Sequence, residues 1–276
     1  MGFETIIFNK EDRIANIVLN RPEVLNALNK QMEYELTQVI SEVSQDEQIR
    51  VVVIKGAGHT FCAEADFRFE MVREQKVEVE KAVALPDVHQ DLGKGNILTA
   101  VRRNAVIALH NLEKPTIAMV NGAAVGFGFD LALACDMRIG SPEARFIVAF
   151  TKMGLASDSG GSWLMPRVMG LGKALEYIFT GDTIDAEEAH RIGILNRLVP
   201  AKLLEKETMD LARKIANGPP IAHRLAKMQV YKGLEVDLET ALAFAAACIS
   251  IALSSEDHKE GIKAFAEKRP PDFKGI

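Results

Sequence analysis

The period of the apolar positions changes several times along the chain, and each change marks an element. Thr5–Phe8 and Ile14–Leu19 are short β-rich runs separated by the turn-like Asn9-Lys10-Glu11-Asp12, a pattern that predicts a hairpin. Asn29 then caps a helical stretch to about Val43, with Met32, Leu36, Val39 and Ile40 on one stripe. Val51-Val52-Val53-Ile54 is a continuous β-branched run ending at Gly56, as expected of a strand covered on both faces in a parallel sheet. Thr116–Val120 repeats the theme: a strand, Asn121-Gly122, then a segment that turns helical around Gly126. Asp136–Ile139 and Ala144–Val148 read as two more short strands. Between these elements, Arg68 to Gly95 is charged and without period, which predicts an irregular surface segment, and a helix is expected from about Asn96 to Leu112.

The second half is helical in pattern. Lys173–Thr180 stops at Gly181, a C-cap glycine, and Ala186–Arg191 precedes Gly193 and a short strand Ile194–Val199. Ala201–Ala216 stops at Gly218-Pro219-Pro220, and further helices are expected at about Ile221–Lys232, Leu238–Leu253 and Glu256–Lys268. The fold class is therefore α/β, with a β-rich part over 1–200 and a helical part over 201–276.

Composition narrows the class. With 276 residues, 48% hydrophobic content and a net charge of -5, the chain is long and apolar enough for a large core, and disorder is excluded. The acidic balance gives no basic footprint for nucleic acid. The longest apolar stretch, Ala241 to Leu253, is too short to span a bilayer. The first residues lack the basic start and apolar core of a signal peptide, and Ile6 breaks the myristoylation pattern. Cys62, Cys135 and Cys248 form neither a metal-spaced pair nor a disulfide framework, which points to a reducing, cytoplasmic setting. None of the six histidines has metal-ligand spacing to another.

Four stretches carry candidate chemistry. Leu19-Asn20-Arg21-Pro22 runs from a strand into a proline turn; Arg21 is either solvated or beside an anionic ligand. Gly56-Ala57-Gly58-His59-Thr60-Phe61-Cys62-Ala63-Glu64-Ala65-Asp66 follows a buried strand, and small residues at Ala63 and Ala65 let a ligand approach the backbone N–H groups. Asn121 to Asp136 bends at glycines into a helix whose first N–H groups suit an anion or a developing oxyanion. Its glycine order is wrong for a dinucleotide fingerprint, and Asp130 alone is a weak catalytic signal, since an early helical carboxylate also favours the helix dipole. The fourth stretch, Phe146 to Trp163, contains Asp158-Ser159-Gly160-Gly161. That tetrapeptide resembles the nucleophile loop of trypsin-like proteases, but the helical second half and scattered cysteines disagree.

In this order and spacing the four stretches closely resemble the crotonase superfamily, the enoyl-CoA hydratases and isomerases, from Asn20-Arg21-Pro22 to the terminal Glu260-Gly261-Ile262-Lys263-Ala264-Phe265-Ala266-Glu267-Lys268-Arg269. The resemblance implies a spiral of ββα turns followed by a helical trimerisation region, hence a homotrimer or a dimer of trimers. It implies an acyl-CoA thioester as substrate, no cofactor beyond the coenzyme A of that substrate, no metal, and neither nucleic acid nor membrane as partner. It assigns an oxyanion hole to the backbone N–H groups of Ala65 and Phe127, which would hold the thioester carbonyl as its enolate forms. Two departures from the family pattern bear on this site: Glu64 and Phe127 both stand where glycine is usual. Val24, Ala63, Glu64, Asp66 and Phe150 are implied to line the substrate, and Arg21, Phe265 and Lys268 to reach the coenzyme, Lys268 often toward a neighbouring subunit.

The acid/base positions bear on the reaction. The two glutamates of typical hydratases align with Asp130 and with Phe150, and Phe150 cannot transfer protons. Asp158 appears eight residues after Phe150. This segment looks most like the 1,2-epoxyphenylacetyl-CoA isomerase branch, whose members also shift enoyl-CoA double bonds. The resemblance therefore implies a double-bond isomerase in which Asp158 removes and returns a proton. A hydratase using Asp130 and Asp158 around a water is the first alternative, and a non-catalytic acyl-CoA binder the second. Against the last, a carboxylate on an apolar pocket wall at Asp158 would be costly without a role.

Overall fold

A computed structural model describes residues 2–64 and 104–276. The expected hairpin forms from β1 (Ile6–Glu11) and β2 (Ile14–Leu19). Its turn is tighter than the polar run implied: Asp12 and Arg13 take φ of 50° and 66°, the two positive values a right-twisted two-residue hairpin needs. Helix α1 (Lys30–Gln45) starts where Asn29 Oδ1 accepts the Met32 N–H, and it buries Met32, Leu36, Val39, Ile40 and Val43.

A three-part unit then recurs. β3 (Val51–Gly56) is followed by β4 (Cys62–Ala63) and, after the segment outside the described residues, α2 (Ala105–His110). β5 (Thr116–Val120) is followed by β6 (Ala123–Val125) and α3 (Phe127–Ala134). β7 (Met137–Gly140) is followed by β8 (Arg145–Ile147) and α4 (Gly161–Met169). The first strand of each unit enters a six-stranded sheet of order β1-β2-β3-β5-β7-β10, where β10 is Arg197–Leu198, parallel except for β1. The second strand enters a four-stranded sheet of order β4-β6-β8-β9, parallel except for β9 (Thr183–Asp185). This is an α/β architecture, as the sequence pattern predicts, and the spiral of ββα turns that the family resemblance implies.

After α4 come α5 (Leu171–Thr180), α6 (Ala186–Arg191) and a two-residue β10 (Arg197–Leu198), shorter than the strand expected over 194–199. The helix expected from Ala201 opens with one 3-10 turn and becomes α7 (Leu204–Ala216). Its Leu204, Ala212 and Ala216 cover one face of the large sheet, against Ile14, Val51, Val53, Ile117, Met119 and Ile139. The main core lies on the opposite face, under α1, α2 and α3. Helices α8 (Pro220–Gly233), α9 (Leu238–Ser254) and α10 (Glu256–Glu267) complete the chain. Asp136 fastens α8 to the sheet: it accepts from Thr116 N, Thr116 Oγ1, Lys227 Nζ and Tyr231 Oη, all within 2.7–3.0 Å. No single helix among the described residues is long and apolar enough to cross a membrane.

Candidate active site

The parallel small sheet brings the separate motifs to one edge. Where β4 ends, Glu64 N–H donates to Val125 O at 3.0 Å; where β6 ends, Gly126 N–H donates to Ile147 O at 3.0 Å. The ends of three successive repeats are thereby laced side by side, with α3 springing from the middle one. Gly126 takes φ 48°, ψ -110°, a bend that requires glycine, and it turns the chain so that α3 begins at Phe127. Phe127 itself is buried, and its N–H faces the end of β4, where it donates to Glu64 Oε1 at 3.3 Å. The sequence reading missed this contact, because the two residues are 63 positions apart.

Asp130 lies one turn into α3, a helix buried over every residue. Its Oδ2 accepts the Gly161 N–H at 2.9 Å, and its Oδ1 is buried with no hydrogen-bond partner. Gly161 opens α4, so the carboxyl sits at a helix N-terminus, and a side chain at Gly161 would collide with it. Burial is the largest influence and raises the carboxyl well above the ordinary range, to about 8. The Gly161 hydrogen bond opposes that rise, and the neighbouring Glu64 and Asp158 charges add to it. Gly161 was visible in the sequence as a glycine, but not as the partner of Asp130.

Asp158 is three residues upstream of Gly161, in the loop between Gly154 and Gly160, and both of these glycines have positive φ. The expectation that it stands on an apolar wall is corrected: its side chain is exposed, with Oδ1 accepting from Ser159 Oγ at 3.0 Å. The carboxyl group whose burial is costly is Asp130, not Asp158. Phe150, which the resemblance aligns with the second glutamate of hydratases, is buried. Arg21 is half-buried, and its Nη1 donates to Ala27 O at 2.5 Å; Val24 and Ala63 are likewise partly buried nearby, with Ala63 N–H donating to Leu25 O at 3.0 Å. Ala65 and Asp66 lie outside the described residues.

Phe265 and Lys268 are not in this group. Phe265 is 87% exposed on α10 and borders an apolar cavity of about 380 Å³ lined also by Ile221, Ala252, Ile262 and Phe273. Lys268 is exposed at the end of α10, in a left-handed conformation. The cavity shares no residue with the Asp130–Phe127 cluster. Among the described residues no group of three or more His, Cys, Asp or Glu side chains is arranged to hold a metal ion. Cys62, Cys135 and Cys248 are all free thiols and buried.

The family model described as enoyl-CoA hydratase/isomerase matches residues 9–276. The chain belongs to the enoyl-CoA hydratase/isomerase family. Among relatives of this family member, the short-chain-enoyl-CoA hydratase of Clostridium acetobutylicum is 37% identical, over 98% of this chain and 97% of that one. The 1,2-epoxyphenylacetyl-CoA isomerase of Escherichia coli is 34% identical, over 99% of each chain. A crystal structure of an enoyl-CoA hydratase from Bacillus anthracis superposes with a TM-score of 0.86 at 32% identity, covering 99% of this chain and all of that one. The repeated ββα architecture is thus that of the crotonase fold, and the family acts on acyl-CoA thioesters.

Proposed function

We propose that this family member is an acyl-CoA double-bond isomerase. The Phe127 N–H, at the start of α3, would hold the thioester oxygen as the enolate forms, together with the Ala65 N–H that the resemblance assigns. Such a donor is worth roughly 3–4 kcal/mol of barrier in comparable sites. Asp158 would take a proton from the carbon next to the unsaturation and return it to another carbon of the dienolate. The observation that carries this reading is the buried Phe150: the second carboxylate of the hydratase pair is replaced by a ring that cannot activate water. No cofactor beyond the substrate's coenzyme A enters this scheme. Arg21 and the α10 residues Phe265 and Lys268 are proposed for the coenzyme.

The scheme is tested by supplying 3-enoyl-CoA and following 2-enoyl-CoA by absorbance. Asp158→Asn should lower kcat at least tenfold, since a general base contributes about 10²–10⁴-fold. A smaller loss would remove Asp158 from the role. A hydratase is the second reading, and one observation favours it. Asp130, kept protonated at neutral pH by burial, and the exposed Asp158 carboxylate could divide acid and base roles around one water. Net water addition to 2-enoyl-CoA faster than double-bond migration would select that reading. Binding of acyl-CoA without turnover of either substrate would select a non-catalytic member.

A further inference from the structure

We infer that Glu64 is a built-in competitor for the thioester carbonyl, and hence a residue that weakens the binding of carbonyl-bearing CoA ligands at this site. The inference rests on the reading of Phe127 N–H as the carbonyl's donor. Three observations carry it. The Glu64 carboxylate already accepts that N–H, through Oε1 at 3.3 Å. The same carboxylate lies against Gly126, where any side chain would collide with it. The Glu64 backbone is pinned on both sides, its N–H donating to Val125 O at 3.0 Å and its carbonyl accepting Leu28 N–H at 2.9 Å, with φ held at 41°. The backbone therefore delivers the side chain to the first N–H of α3, a place that favours negative charge.

Consequences follow from the chemistry of the two competitors. A carboxylate is a stronger acceptor at a helix N-terminus than a neutral thioester oxygen. The ground-state thioester must therefore turn Glu64 away before it can use the Phe127 N–H. A ligand that reaches this N–H with an oxygen bearing more negative charge competes better, so the contact penalises plain thioester binding more than enolate binding. Glutamine at this position keeps the shape and removes the charge. Glycine removes the competitor and suits the positive φ, so that variant retains the local fold.

The test compares two ligands by calorimetric titration: a saturated acyl-CoA, and the matching S-alkyl-CoA thioether, which lacks the carbonyl. Binding to the wild-type chain, Glu64→Gln and Glu64→Gly is measured for both. Glu64→Gly should tighten acyl-CoA roughly tenfold while changing the thioether less than twofold, with Glu64→Gln in between; a hydrogen bond to a charged group is of that size. Equal change for both ligands, or none for either, overturns the competitor role while leaving acyl-CoA binding intact. Failure of every form to bind either CoA ligand overturns the proposed function and this inference with it. Weaker acyl-CoA binding in Glu64→Gly would mean that Glu64 supports the ligand, and would also overturn it.

Discussion

Asp130 holds a buried carboxyl group, with one oxygen bonded to the Gly161 N–H and the other without a partner. Its value of about 8, against an ordinary carboxyl value near 4, means that the folded chain binds a proton that the unfolded chain has released. The sign follows from linkage. Below about pH 4 both states are protonated and ionisation adds no cost; between about pH 4 and 8 stability falls as pH rises; above about 8 the loss is complete. Asp130→Asn keeps the acceptor for Gly161 N–H and cannot ionise. The fall in Tm between pH 5 and pH 8 should therefore shrink in this variant relative to the parent, and an identical fall in the two proteins would show that Asp130 is not the titrating group. The same residue illustrates what a sequence can tell. Helix α3 is apolar all round, so its burial is legible from Phe127-Gly128-Phe129 and Leu131-Ala132-Leu133-Ala134 alone. That Asp130 meets Gly161 is not legible, because the contact joins the starts of two helices 31 residues apart.

At the scale of elements, what the sequence shows depends on how local the cause is. The Asn29 cap, the β-branched run of β3 and the glycine after α5 act within a few residues, and each lies where its pattern places it. Helix α4 escaped the sequence reading because it opens on Gly161 and carries Pro166 inside, two residues that ordinarily argue against a helix. Strands β4, β6 and β9 are only two or three residues long, too short to show a period, and they exist because neighbouring repeats pair with them. Yet β4 and β6 carry the ends from which Glu64 and Gly126 come together. The far end of α3 is secured by a residue with no obvious motif. Arg138 is buried, and its Nη1 reaches the carbonyls of Ala132, Leu133 and Cys135 at 3.4, 3.5 and 2.6 Å while Nε donates to Ile194 O at 2.5 Å. A cation there satisfies carbonyls that the helix leaves open and complements its negative end. Arg138→Met keeps the apolar length and removes every donor. It should cost about 3 kcal/mol or more in urea unfolding at fixed protein concentration, from the unsatisfied carbonyls. A loss below about 1 kcal/mol would show that these hydrogen bonds contribute little.

The whole molecule presents an imbalance between its two halves. In the core beneath the sheets large apolar side chains are buried; along α9 they are not, and Cys248 is the one buried residue in that helix. Leu238, Leu242, Ile249 and Leu253 are each more than half exposed. At 100° per residue these four fall within about 60° of one another, so they form one stripe along the helix. The small residues Ala241, Ala245 and Ala252 border it and would let another helix approach closely. Val230 and Leu234, near the end of α8, are 64% and 57% exposed and extend the apolar surface. A patch of this kind marks an interaction surface rather than a face for water. We expect a homotrimer or a dimer of trimers, with α9 in the contact, and hence a light-scattering mass of three or six chains at micromolar concentration. Leu242→Lys paired with Ile249→Lys would place two charges in the stripe, and desolvating them without partners is costly. That double variant should lower the measured mass while its circular dichroism stays that of the parent, because neither residue belongs to the core beneath the sheets. A monomer mass for the unaltered chain would refute the assembly, and an unchanged mass for the double variant would place the contact elsewhere on the molecule.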